Sequence, residues 1–310
     1  DQDIVQSPNK YRETEGIKCS ADMIKDAELH AKSKQAFYNY VLGYPYQDIK
    51  LQVADSDIEN IGRFPTRKLN RDDYRIISVG IDWGVKNSIV VSGMKDDGSV
   101  DILNVFQTDS VPPTSAVGAG ADIDAIRVKL LPYNPDIIVT DVGDNGNRIV
   151  PLMNIYGRDK VFGGKYSSNP TMGLSTASNR FIPTWSESSN VVTMDKLVEN
   201  KRLIDMIKQH EIGIWSKHDP QLLDYINHWK NVVIRDEEQD DGSMRQVIGR
   251  RGPDHYAQSS VLSIVGLDKV RDTMFGEGTY DFAYDNISER MAPEKTDLAK
   301  QVDNNHNIFG

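Results

Sequence analysis

The chain has 310 residues, 38% hydrophobic and 26% charged, with a formal net charge of −10. That is enough chain for one large or two modest folded domains with a sizeable core. No run of 18 apolar residues and no signal peptide is present, so neither membrane insertion nor secretion is expected. Cys19 is the only cysteine, which excludes an intramolecular disulfide and a cysteine-based zinc site and suits a reducing cytoplasm. The negative balance argues against a generic DNA-coating protein, whose affinity comes from Lys and Arg neutralising phosphates. The chain opens at Asp1 rather than Met, as expected of a piece of something longer.

Residues 1–22 are polar and rich in turn residues. Residues 23–42 have helical character, with Met23, Ile24, Ala27 and Ala31 at three- and four-residue steps. Gly43 and Pro45 end that helix, and residues 47–73 read as a connector of mixed charge and turns. These give an N-terminal arm over 1–70, ahead of a main domain over 71–270 and an acidic tail over 271–310.

From Tyr74 the pattern becomes α/β. Ile76 to Gly84 is a β-branched apolar run that closes on Asp82. Ser88 to Gly93 and Val100 to Phe106 are further strands, joined by the hairpin turn Asp96-Asp97-Gly98. Ala121 to Leu131 suits a helix, Ile137 to Thr140 a fourth strand running into Asp141, Arg148 to Tyr156 a short helix interrupted early by Pro151, and Lys160 to Gly163 the start of a fifth strand. Three antiparallel strands followed by helix, strand, helix, strand is the order of a ribonuclease-H-like mixed sheet flanked by helices. Residues 166–190 read as a long polar loop. A helix with Leu197, Leu203, Ile204 and Ile207 on its apolar face follows, then a short strand at Ile212–Trp215 and a helix at Pro220–Trp229. A β-hairpin with an acidic tip spans 231–249, and a last helix begins at Asp254 and runs to about Val265.

The chemistry resides in three acids, Asp82, Asp141 and Asp254, which lie 59 and 113 positions apart. Adjacent strand ends and the first turn of a helix can bring them to one sheet edge. Carboxylates there suit divalent metal, since Mg²⁺ and Mn²⁺ prefer oxygen ligands, and two such ions support phosphodiester hydrolysis. Each acid has a plainer explanation by itself. Asp82 before Gly84 suits a turn, Asp254 suits a helix N-cap, and Asp144, before Asn145-Gly146, competes with Asp141 but reads better as a turn residue. The joint pattern is what singles them out. Lys86, Lys165, Arg245, Arg250 and Arg251 are the candidate DNA-backbone contacts, and nothing suggests base readout.

Taken together, Phe37 to Pro45, Gly80-Ile81-Asp82-Trp83-Gly84, Ile137 to Asp141, Phe162-Gly163-Gly164-Lys165, Asn200-Lys201 and Pro253-Asp254-His255-Tyr256-Ala257 make the chain resemble the C-terminal nuclease domain of the large terminase subunit of tailed double-stranded DNA phages, over roughly residues 35–270. The resemblance implies a ribonuclease-H-like fold and two-metal cleavage of double-stranded DNA. It implies Asp82, Asp141 and Asp254 as ligands of two Mg²⁺ or Mn²⁺ ions. It also implies a portal and a small terminase subunit as partners, a possible homo-oligomer in a packaging motor, and a host-cytoplasmic location. Many relatives carry paired acids at the third site, where this chain has His255 beside Asp254, a residue suited to orienting a ligand or merely to packing. No Gly-x-x-x-x-Gly-Lys-Ser/Thr loop is present, so a packaging ATPase is expected only upstream, with residues 1–70 as its exit segment. Two rivals and one related enzyme compete with this reading. An actin-fold ATPase would use Gly80 to Gly84 as a phosphate loop but needs a second such loop that is not found. A catalytically silent docking module would use the polar loop and acidic tail as contact surfaces. A Holliday-junction resolvase would use the same carboxylates.

Overall fold

The computed structural model describes residues 21–29, 42, 52–110, 121–142, 148–167, 183–216, 219–238 and 244–275. The elements are α1 (Ala21–Leu29), α2 (Asp55–Asn60), β1 (Gly62–Phe64), β2 (Ile76–Asp82), β3 (Lys86–Met94), β4 (Val100–Asp109), α3 (Ala121–Leu130), β5 (Ile137–Asp141), α4 (Ile149–Tyr156), β6 (Val161–Ser167), β7 (Thr184–Ser186), β8 (Val191–Asp195), α5 (Lys196–Lys208), β9 (Ile212–Trp215), α6 (Pro220–Lys230), β10 (Val232–Glu238), β11 (Met244–Arg250) and α7 (His255–Phe275). Among these residues the main sheet has nine strands in the order β1-β9-β4-β3-β2-β5-β6-β8-β7. β2, β3 and β4 form an antiparallel meander, while β5, β6 and β8 run parallel to β2. The central block β4-β3-β2-β5-β6 has the ribonuclease-H-like topology that the order of elements in the sequence implies.

The central strands are buried on both faces, which explains why their sequences are continuous apolar runs rather than alternations. Successive side chains of β2 still point to opposite faces. Ile77, Val79 and Ile81 enter one core with Ile123, Ile126 and Leu130 of α3 and Ile149 and Leu152 of α4. Ile76 enters a second core with Val261, Leu262 and Val265 of α7 and Trp229 of α6. The other residues on that second face of β2 are Ser78, Gly80 and Asp82. Their small size lets α7 settle almost onto the strand backbone. A Cβ at Gly80 would lie 1.8 Å from the Ser259 carbonyl oxygen and 2.6 Å from the Ser263 nitrogen. Ser259 Oγ donates to the Ser88 carbonyl at 2.8 Å, and Ser263 Oγ to the Ser78 carbonyl at 3.0 Å.

Several boundaries differ from the sequence reading. Within the segment read as a connector, α2 buries Ile58, and β1 pairs in parallel with β9. A three-residue strand between charged and turn residues offers no periodicity to detect. Pro151 does not interrupt α4, because it falls in the first turn, where its missing N–H has no helical partner to lose. The last helix continues past Val265 to Phe275. The expected hairpin is present as β10–β11, antiparallel from Val232↔Arg250 to Glu238↔Met244, with Asp236, Glu237 and Glu238 of the acidic segment in β10 itself; residues 239–243, most of the 166–190 loop and residues 276–310 lie outside the described residues. No described helix is long and apolar enough to cross a membrane.

Candidate metal centre

Asp82 is the last residue of β2, and Asp141 the last of β5, its parallel neighbour. Both share the strand parity that faces α7, with Gly80 and Val139 respectively one pleat behind them. Asp254 immediately precedes α7, the helix packed on that face, and is 4% exposed. Three elements thus deliver three carboxylates to the same edge. Burial pushes the Asp82 carboxyl above the ordinary carboxylate range. The hydrogen bond from His255 pulls it back, and the negative charges of Asp141 and Asp254 raise it further. Asp141 and Asp254 are therefore near enough for their charges to bear on Asp82.

His255 is the fourth group of the cluster. Its Nδ1 donates to Asp82 Oδ2 at 2.6 Å, and its ring reaches over the β2–β3 turn to within 3.7 Å of a Cβ position at Gly84. That bond to Asp82 raises its pKa, against the opposing effect of burial. The other ring of the site, His228, accepts the Tyr256 backbone N–H on Nδ1 at 2.9 Å and lies 6.0 Å from the His255 ring.

Among the described residues, no three His, Cys, Asp or Glu side chains are gathered closely enough to enclose a single ion. The donor set nevertheless fits Mg²⁺ or Mn²⁺. These ions are usually held by one or two carboxylates, with water and substrate phosphate completing the shell, rather than by an all-protein cage. The three acids offer only oxygen, and a divalent cation among them would offset the negative charge they gather at one edge.

The basic residues do not all share this edge. Lys86 opens β3 on the same face as Asp82 and is exposed. Arg250 ends β11, and its charge is felt at His255; Arg251 is exposed beside it. Lys165 has the strand parity of Gly163, which packs on Ile149 and Val142, so it stands on the face of the sheet opposite the acids. Arg245 lies on β11, paired with Glu237, and its side chain lies outside the described residues, as does the whole of Asp144.

Sequence reasoning missed a polar network behind Asp254. Gln258, one turn along α7, donates from Nε2 to Asp254 Oδ2 at 3.2 Å and to Asn200 Oδ1 at 3.3 Å. Its Oε1 accepts from the Tyr166 hydroxyl at 3.1 Å. The Tyr166 phenol is held well above its usual range, first by burial and then by Asp82, Asp141, Glu199 and Asp254. The i, i+4 spacing of Asp254 and Gln258 was visible in the sequence; Tyr166 and Asn200 become neighbours only through the fold. Arg148 was also overlooked. It stacks 5.0 Å over Trp83, donates to Asn87 Oδ1 at 3.1 Å and Ser110 Oγ at 2.6 Å, and pairs with the buried Asp122 at 3.2 Å.

No family model and no curated protein matches the chain. Solved structures similar to it include the large terminase nuclease from thermophilic phage G20c, at 15% identity, covering 67% of this chain and 95% of that one with a TM-score of 0.39. A structure of the G20c nuclease with bound magnesium aligns at 12% identity over 67% and 94% of the two chains, TM-score 0.40. The human cytomegalovirus terminase nuclease domain, Mn-soaked, aligns at 13% identity over 71% and 97%, TM-score 0.39.

Proposed function

We propose that this chain is a divalent-metal-dependent endonuclease that cleaves double-stranded DNA with little sequence preference, as the nuclease part of a phage packaging terminase. The observation that carries this reading is that β2, its parallel neighbour β5 and the helix α7 packed on them bring Asp82, Asp141 and Asp254 to one sheet edge, because the three acids come from remote parts of the chain. A purely structural role for each would not require them to share one edge.

In this reading Asp82, Asp141 and Asp254 are the residues that would hold two divalent ions. Bound there, two Mg²⁺ or Mn²⁺ ions would make water acidic enough to attack at neutral pH and neutralise charge on the leaving 3′ oxygen. The chain's own residues do the positioning. β2 and β5 fix two carboxylates by their hydrogen-bonded register, and α7 fixes the third by its close contact with Gly80. His255 orients Asp82 through the Nδ1 bond. Lys86, Arg250 and Arg251 supply a local basic rim on an acidic protein and meet phosphates rather than base edges. Partnership with a portal and a small subunit, assembly into a homo-oligomer and work in the host cytoplasm follow from the family resemblance and belong to the same proposal.

Plasmid nicking tests it. The parent should nick supercoiled plasmid with Mn²⁺ or Mg²⁺ and not with EDTA, while Asp82→Ala, folded by circular dichroism, should be inactive. If Asp82→Ala cuts as fast as the parent, the site is wrong. A strong preference for branched over linear DNA would move the assignment to a junction resolvase.

A further inference from the structure

Asn200 is fully buried, and its Nδ2 donates to the Lys196 backbone carbonyl at 2.8 Å. A carbonyl oxygen can only accept, so this bond fixes which end of the amide is nitrogen. Asn200 therefore presents Oδ1, an acceptor, to Gln258. Gln258, 5% exposed, must then turn its NH₂ toward Asn200, and the same NH₂ reaches Asp254 Oδ2. Its Oε1 is left facing Tyr166, whose hydroxyl must be the donor. One backbone carbonyl on α5 thus dictates the direction of every bond up to the third acid, and that direction delivers an N–H to Asp254.

We infer that Gln258 is a positioning residue that holds the Asp254 carboxylate ready for a divalent cation, with Tyr166 and Asn200 fixing the orientation of the Gln258 amide. The inference rests on the reading of Asp254 as a metal ligand. It assigns a reason for the Gln at this helix position, which a buried leucine or methionine would fill as well by volume.

The test uses the whole chain and two readouts: Mn²⁺ binding by calorimetry without DNA, and plasmid nicking as a function of Mn²⁺ and of plasmid concentration. Gln258→Met keeps the volume and removes both donors and the acceptor. It should weaken Mn²⁺ binding about tenfold or more, the scale typical of losing a group that orients a metal ligand, and leave the KM for plasmid within twofold of the parent. Tyr166→Phe removes one bond and should weaken Mn²⁺ binding several-fold, with the melting temperature in EDTA lowered by no more than the loss of one buried bond gives. Gln258→Glu keeps the bond from Tyr166 but presents an oxygen to Asp254, so it should fail to restore parental nicking. Parental Mn²⁺ affinity in Gln258→Met, with Asp254→Ala having lost it, would overturn the inference alone. If Asp254→Ala itself keeps both Mn²⁺ and cutting, the reading of Asp254 falls instead. Should Gln258→Met not fold, Tyr166→Phe decides, and parental affinity there counts against the inference.

Discussion

Replacing Gly80 by Ala adds one methyl at the point where α7 meets β2. The added carbon would sit 1.8 Å from the Ser259 carbonyl oxygen, 2.6 Å from the Ser263 nitrogen and 2.9 Å from the Ser259 carbonyl carbon. All three are backbone atoms, so no side-chain rotation relieves the clash. Reaching ordinary contact distance requires the helix to retreat by about 1.5 Å. Such a retreat stretches the bonds of Ser259 to Ser88 and of Ser263 to Ser78 beyond use. Two lost bonds at about 1 kcal/mol each, added to an overpacking cost of about 1–3 kcal/mol, give a destabilisation of roughly 3–5 kcal/mol. A domain of ordinary stability survives that at 25 °C, near the lower end of the usual range. Asp254 heads α7 and moves with it; with Asp254 in the role proposed above, a displacement of about 1 Å costs roughly 10²-fold in rate. Gly80→Ala should therefore denature at lower urea concentration and nick plasmid about 100-fold more slowly at a temperature where it is folded. Ser259→Ala is the control, losing the hydroxyl shared between the Ser88 and His255 carbonyls without displacing the helix, and should stay within a few-fold of the parent. Parental melting and parental nicking in Gly80→Ala would refute the argument that this contact sets the site.

Two further outcomes follow from other contacts. Arg148→Met leaves buried Asp122 without its guanidinium and removes the donor to Asn87 and Ser110; urea melts should show a loss of about 3 kcal/mol or more, partly recovered when Asp122→Asn is added. His228 is held below its usual pKa, first by burial and then by the charge of His255, and its Nδ1 must stay unprotonated to accept from Tyr256. A depressed folded pKa gives stability that is present above the unfolded value, about 6.5, and is lost as pH falls through the folded one. His228→Asn offers an amide oxygen in place of Nδ1, so its melting temperature should fall less than the parent's between neutral pH and pH 5.

The centre of the sheet was legible because β2, β3, β4 and β5 are long β-branched runs, and their order alone suggests the topology. β1 and β7 were not, since three residues carry no period and their pairing with β9 and β8 depends on distant chain. Gly266 punctuates the last helix in sequence yet does not end it. A Cβ there would come within 2.6 Å of Ser78 Oγ and 2.9 Å of Val139, so the glycine serves close approach rather than termination. The three acids were found by their place at element ends. The bond of His255 to Asp82 across 173 positions could not be read locally, and neither could the side of the sheet taken by Lys165, which depended on the parity of β6.

The close seat of α7 on β2 also bears on when the protein acquires its activity. While a ribosome is still making the chain, β2 through β6 can emerge and pair, carrying Asp82 and Asp141, with the narrow lane over Ser78 and Gly80 still bare. The third acid arrives at the head of the very segment that fills that lane. A half-made copy thus holds two of the three acids and an unfilled seat, so on the proposed reading cutting begins only after that late docking step.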